Sequence, residues 1–329
     1  MEEIMAILNT RELRSRAASA VRENQTELRR LILLYCGVLA GLSLASAGLN
    51  LYLDDQIGTT GGLGGLGLRS VLQTIQAVLS YINLFFTPFW SAGFLYAVIA
   101  MVRGGAPRLG HMTEGFRRFG RILSSAMYES ALMIALAAAA LVVVMMFFML
   151  SPWGTMVAQM MEPVIQDPNL FLPDGTVNIA AMPQNVMIAG VIPMVILWGL
   201  LTLAGYVFLS YCFRMAGFLM MERRIGGIAA LFLSLRLMRG HKWQIFKMDL
   251  GYWWYYLLLA GVTLVGNLDV ICALMGIALP FDAVTGYFVT MVAYLALQTL
   301  LFLWKKGEVD AAFVLAFDQI AHPETEEVR

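Results

Sequence analysis

The residues of this chain that could do chemistry fall into two groups. The first is a basic elbow, Ser234 to Asp249, reading SLRLMRGHKWQIFKMD. Arg236, Arg239, Lys242 and Lys247 lie in it, beside Trp243 and Phe246. Cations spaced this way next to an aromatic suit anionic lipid head groups, each basic residue contributing about 1 kcal/mol near an anionic surface. The same pattern also serves as a topological anchor, because positive charge and tryptophan hold the start of a span at the membrane edge. The second group is Glu129, Arg214 and Asp249, ionisable residues in or at the ends of apolar runs. In lipid such residues are costly and face a partner or a cavity. All three fall near the cytoplasmic ends of their runs, so they can meet at one depth: Glu129 with Arg214, and Asp249 with Lys247 or the loop arginines. Two readings follow, a polar cluster lining a cavity open to the cytoplasm or structural ion pairs with snorkelling side chains.

The remaining reactive types do not assemble into a catalytic constellation. His241 is far in sequence from His111 and His322 and reads as an ordinary interfacial histidine. Cys36, Cys212 and Cys272 are widely separated in apolar runs, without a C-x-x-C pair, and read as buried free thiols. The glycines of GGLGGLGL are not followed by Lys-Ser/Thr, so Asp54–Ser70 reads as a flexible loop and not a phosphate cradle. No H-E-x-x-H, G-x-S-x-G or aspartyl pair falls in a span, which makes an intramembrane enzyme the weakest class and leads us to expect no metal and no cofactor. Tyr252 to Tyr256 are all aromatic and cover every face of a helix, which suits an interfacial belt or a packing layer.

The elements that must position these residues are membrane helices. Of the 329 residues 60% are hydrophobic and only 13% charged, against roughly 25% charged in soluble domains. Such a chain cannot cover a surface facing water, and with a net charge of zero it offers nothing for nucleic acid. The fold class expected is all-α, a polytopic membrane protein with about six transmembrane helices plus interfacial amphipathic helices. The spans fall at about 31–53, 86–102, 123–150, 186–213, 246–267 and 283–304. Before them, residues 1–30 read as an amphipathic helix, with Asn9 and Glu12 as a capping box; it either lies on the membrane surface or is a solvated helix beside it. After them, 305–329 reads as a short tail with an amphipathic piece near Val309–Ile320. Segments 70–85 and 268–281 are apolar but fit no clean span and read as interfacial or re-entrant pieces. Pro88 is expected to kink or break its helix, and Ser151–Gln184 to form a long polar loop. Gly240 is expected to end the helix before the elbow in a left-handed cap.

Charge gives the orientation. Of the 22 Lys and Arg, 21 fall in segments that alternation places on one side, and only Arg69 falls on the other. The opposite loops carry Asp54, Asp55, Glu162, Asp167, Asp174, Asp269 and Asp282. Under the positive-inside rule both termini and the elbow are cytoplasmic.

The elbow Leu237-Met238-Arg239-Gly240-His241-Lys242-Trp243, with Phe246 and Asp249-Leu250, resembles the signature of a family of uncharacterised bacterial integral membrane proteins, domain of unknown function nine-seven-five. Arg11 to Ala17 is similar to its opening helix. Pro88, Gly93, Val102-Arg103-Gly104 and Gly115-Phe116-Arg117-Arg118-Phe119 are similar to its second span and following loop, and Pro280-Phe281 with Tyr287-Phe288 to its last span. The resemblance runs from about Ile7 to Trp304. Glu222-Arg223-Arg224 departs from it, standing where members often carry an acidic residue and a proline, and the glycine-rich and Ser151–Gln184 stretches look like insertions. The resemblance implies a bacterial source, a location in the cytoplasmic membrane and no known cofactor; it implies no activity. Two functions are therefore carried forward. One is a non-enzymatic scaffold or accessory protein that contacts membrane lipids, other membrane proteins or itself through the basic cytoplasmic face. The other is a small exporter of an amphipathic solute that uses Glu129, Arg214 and Asp249.

Overall fold

A computed structural model describes residues 9–59, 63–165, 190, 192–222, 225–268, 271–272 and 283–322 of the protein. Every regular element among them is helical, and the chain is an all-α polytopic membrane protein. Five helices are long and apolar enough to cross a membrane: Gln25–Leu49, Ala77–Val102, Phe119–Leu150, Ile192–Glu222 and Gly286–Ala321. The backbone is helical because lipid offers its N–H and C=O groups no partner but each other. The glycine-rich stretch is largely helical as well. It is not the loop expected from its composition: one helix runs on to Thr59 and the next begins at Leu63. That second helix, Leu63–Val102, also passes through Pro88 without a break. Proline removes one backbone donor; one turn back, the Thr87 hydroxyl donates to the Asn83 carbonyl at 2.8 Å.

The helices divide into two compact units, with the boundaries inside the helices Phe119–Leu150 and Ile192–Phe213. The first unit, Met1–Ser125 with Phe213–Arg329, holds most of the buried core. Its centre is the helix Gly307–Ala321, which packs against Thr10–Glu23 and Leu63–Val102. Val309, Ala311, Ala312, Phe313, Val314, Ala316 and Phe317 are buried on it, and Phe317 stacks on Phe218 at 5.4 Å between centroids. The segment read as a tail is therefore a central helix over Gly307–Ala321. It continues the helix Ala283–Leu301 through one π turn, Phe302–Lys306. Its acidic residues satisfied a tail pattern by composition, yet its apolar side has a protein surface to cover. The N-terminal helix Thr10–Glu23 has the same fate: Leu13 and Ala17, its apolar stripe, are buried in the protein. The Asn9 side chain accepts from the Glu12 N–H at 3.3 Å, as an N-cap does, while the Glu12 carboxylate accepts from the Asn9 side-chain amide at 3.2 Å and not from its backbone N–H as the expected capping box would have it.

Two glycines let the loop after the second span lie directly on that span. A side chain at Gly93 would meet the Met112 carbonyl, and one at Gly115 would meet the Phe89 carbonyl. The turn Leu109–Thr113 and the short helix Glu114–Arg117 are thereby clamped to the helix carrying Phe89 and Phe94.

The fifth expected span, 246–267, is interrupted. Lys242–Leu250 and Trp253–Gly266 are separate helices with Gly251-Tyr252 between them. Arg14 from the N-terminal helix supplies the reason, because its Nη1 donates to the Gly251 carbonyl at 3.0 Å. That carbonyl would otherwise accept from the Tyr255 N–H, which turns to Tyr252 O at 2.8 Å. The helix Trp253–Gly266 has 14 residues, about 21 Å at 1.5 Å per residue, against about 30 Å of hydrocarbon.

The second unit, Ala126–Cys212, is apolar throughout, with Glu129 and Glu162 as the charged residues among its described positions. Trp198 Nε1 donates to Ala137 O at 2.9 Å, tying its two long helices together, and Gly205 lets the Leu136 side chain approach closely. Its large apolar side chains, Met149, Leu150, Leu200 and Phe208 among them, point outward, as lipid solvation requires. Fourteen residues of the expected polar loop are the helix Pro152–Ile165. Ser151 is its cap, accepting from Gly154 N at 3.2 Å, and proline suits the first helical position. The rest of that loop and nearly all of 268–281 lie outside the described residues.

Candidate functional site

The second span's C-terminal end, the elbow and the π turn each deliver charge to the first unit. One group forms around Arg214, just past the end of the helix Ile192–Phe213. Its Nη2 lies 3.4 Å from Asp249 Oδ1 and 3.4 Å from Tyr256 Oη. Tyr256 donates to the same carboxylate oxygen at 2.6 Å. Phe313 covers the guanidinium, 4.0 Å from its centroid, a cation–π contact worth about 2 kcal/mol where water is excluded. The Arg214 and Asp249 side chains keep 34% and 13% of their surface.

A turn of helix away, Lys306 pairs with Asp310 at 3.0 Å. The π turn aims its ammonium into an aromatic surround: Phe94 and Phe302 at 5.2 Å and Tyr35 at 5.7 Å from their centroids. Tyr35 shares a hydrogen bond of 3.0 Å with Ser91. The Asp310 carboxylate also acts on Arg214 through space. Two cations and two carboxylates thus answer one another inside the unit.

A further network lies past the end of the second span. Arg103 Nη2 donates to Glu222 at 2.7 Å and to Asp318 at 2.6 Å. His322 Nε2 lies 3.2 Å from the same Glu222 oxygen. The hydrogen bond to Asp318 leads in raising the Arg103 pKa, so the guanidinium stays charged. Nearby, burial first and the Arg108 charge second lower the His111 pKa. Its Nδ1 accepts the Arg108 backbone N–H at 3.2 Å, which requires the neutral ring.

The elbow is built differently. Gly240, at φ +94°, ends the helix Gly227–Leu237 in the left-handed region, as its sequence predicts. Met238, Ile245 and Met248 are buried and anchor the elbow from below. Above them Arg236, Arg239 and Lys247 are exposed and Lys242 is half-buried. Trp243 keeps 62% of its surface. It stacks on Phe246 at 5.1 Å and carries the Lys247 ammonium 5.7 Å from its ring. His241 Nδ1 sits 3.1 Å from Leu237 O, in the backbone turn.

Of the eight expected site residues the structure therefore joins Arg214 to Asp249, and Trp243 to Lys247. Arg214 pairs with Asp249, a partner the sequence did not assign to it; Glu129 is half-buried in the second unit. Asp249 turns to Arg214 and Tyr256, while its expected partner Lys247 turns to Trp243. Sequence reasoning passed over Tyr256, Phe313, Lys306, Asp310, Arg103, Glu222 and Asp318. One signal was available: Tyr252, Tyr255 and Tyr256 stand at i, i+3, i+4, one helix face. Tyr252 and Tyr255 are buried, while Trp253 and Trp254 face outward. The aromatic run is a two-faced element, not a uniform belt.

These features meet in one comparison. The family described as "Protein of unknown function (DUF975)" matches residues 5–303. The chain belongs to this family. No curated protein and no solved structure matches it. The stretches that carry the family likeness now have physical roles. Gly93 and Gly115 permit the close approach of loop and span, Arg103 holds two carboxylates, and Gly240 turns the elbow. The match ends within the π turn, so the whole of the central helix Gly307–Ala321 lies beyond it.

Proposed function

We propose that this uncharacterised membrane protein is a non-enzymatic scaffold or accessory protein whose elbow contacts anionic lipid, and partner membrane proteins on the same surface. One observation carries this reading: exposed Trp243 and Lys247, with half-buried Phe246, form an aromatic–cation stack on a buried footing. Burial of Met238, Ile245 and Met248 keeps the stack in place, and Arg236, Arg239 and Lys242 add charge around it. In this reading the basic face and both termini are cytoplasmic, which the segregation of Lys and Arg supports.

The test uses the full-length protein in nanodiscs of phosphatidylcholine with a minority of phosphatidylglycerol. A variant carrying R236Q, R239Q, K242Q and K247Q is expected to retain far less phosphatidylglycerol by native mass spectrometry, with its thermal unfolding unchanged. Equal retention would overturn the reading.

The second reading, an exporter with Arg214, Asp249 and Glu129 in its pathway, draws on the cost of keeping ionisable groups in apolar segments. It requires water at the cluster. Phe313→Cys, in a background with the native cysteines replaced by serine, would then react with a membrane-impermeant thiol reagent; the scaffold reading expects no labelling.

A further inference from the structure

Beside the clamped loop lies a polar cavity of about 290 Å³, lined by Glu114, Arg117, Arg118, Arg121 and Glu222. None of these residues belongs to the elbow. The sequence places three arginines within five positions, and the fold holds the surrounding backbone still. Gly93 and Gly115 seat the preceding loop on the second span. On the far side a side chain at Gly227 would meet the Arg121 carbonyl, so the helix Gly227–Leu237 starts hard against it.

Two of the guanidinium groups are engaged as well. Arg118 Nη1 donates to the Met221 carbonyl, and its guanidinium lies 5.0 Å from the Tyr96 centroid. Arg117 Nη1 donates to Glu114 at 2.7 Å. The lining carries three cations against two carboxylates, and Glu222 is itself engaged by Arg103 and His322. Each guanidinium has five donors in a planar fork, so a bond at one nitrogen fixes the group without exhausting it. Arginines arranged in this way match the tetrahedral oxygens of phosphate. The volume sits at the lower end of the roughly 300–1,000 Å³ typical of ligand pockets, room for a phosphate and a small substituent.

We propose that this cavity binds a terminal phosphate group, either the phosphomonoester head group of an anionic lipid or a free phosphate. The site is distinct from the elbow and stands whether or not the elbow binds lipid.

Full-length protein in detergent is titrated calorimetrically with inorganic phosphate against chloride and nitrate at matched ionic strength. In parallel, nanodiscs containing phosphatidic acid or phosphatidylcholine are examined for retained lipid by native mass spectrometry. R117Q/R121Q is expected to weaken binding on the order of tenfold per lost charged contact. E114Q is expected to tighten it, since the carboxylate that competes for Arg117 is gone. R239Q/K242Q at the elbow should leave it unchanged. Binding of inorganic phosphate identifies a ligand from solution; retention of phosphatidic acid without phosphate binding identifies the lipid. Binding of neither overturns the proposal, and so does an E114Q variant that binds equally or more weakly. Should R117Q/R121Q fail to fold, E114Q alone decides by the same criterion.

Discussion

The elbow and the inner charge network look alike in composition and differ in everything that matters physically. Both mix cations, carboxylates and aromatic rings near the edges of apolar helices. Around Arg214 and Lys306 each cation has a carboxylate and a ring, and the helices close over them. At the elbow the charges lean outward, and the ring that accompanies Lys247 is itself exposed. Buried charge is retained only where partners offset the loss of water, and removing one partner leaves the other stranded. Exposed charge is solvated in any case, so its removal changes surface chemistry and little else. The inner network should therefore behave as structure and the elbow as a contact surface.

The largest effect should come from the clamp between the second span and the loop after it. Gly93→Val or Gly115→Val sets a side chain against a backbone carbonyl that cannot move aside. A loss at or above the upper end of about 1–3 kcal/mol is expected, seen as aggregation or a strongly lowered Tm in detergent. Next is Arg214→Leu, which removes the cation from beside Asp249 and leaves it the Tyr256 hydroxyl. Breaking a buried pair costs roughly 3–5 kcal/mol, and the partial exposure of Arg214 places this case toward the bottom of that range or below. Tyr256→Phe should cost about 1 kcal/mol, one hydrogen bond. A Tm for Arg214→Leu equal to that of the elbow variants would erase the contrast between inside and outside.

Arg103→Gln is expected to cost about 1 kcal/mol or less, because the pair with Glu222 and Asp318 is partly open to solvent. Chemical denaturation of wild type and variant measures it.

The pH dependence should be smaller still. His111 has its pKa lowered from 6.5 in the folded protein, so above that value the ring is neutral in both states and contributes nothing to the slope. As pH falls through 6.5 the unfolded chain takes up its proton first, and stability declines until the folded ring protonates too. His111→Asn keeps an acceptor for the Arg108 N–H without a titrating ring, and should flatten this part of a Tm-versus-pH curve. A curve identical to wild type would remove His111 from the account. Least affected is the elbow: R239Q and K242Q should shift stability by less than about 0.5 kcal/mol while altering retained lipid.

Much of the frame was readable from residue order. Asn9 and Glu12 marked the first helix, Gly240 marked the elbow's turn, and the long uncharged runs marked the spans, because each signal is local. The break at Gly251 was not readable, since it depends on Arg14 reaching its carbonyl from the other end of the chain. Nor was the role of Gly307–Ala321: amphipathic character tells that a helix has a surface to cover, not whether lipid, water or protein covers it. Arg214 and Asp249 were both singled out, yet not as each other's partner, because depth along a span leaves the direction around the helix open.

The amino-acid sequence by itself determined that this protein lives in lipid, that its backbone is helical, and where its charges sit along the chain. Composition and period suffice for that, because the bilayer accepts few solutions. The tertiary structure alone decided which charges meet. Arg214 with Asp249 and Tyr256, Lys306 with Asp310, and Arg103 with Glu222 and Asp318 are contacts set by helix rotation and close approach. Those depend on packing across the whole unit, down to two glycines that let backbone touch backbone.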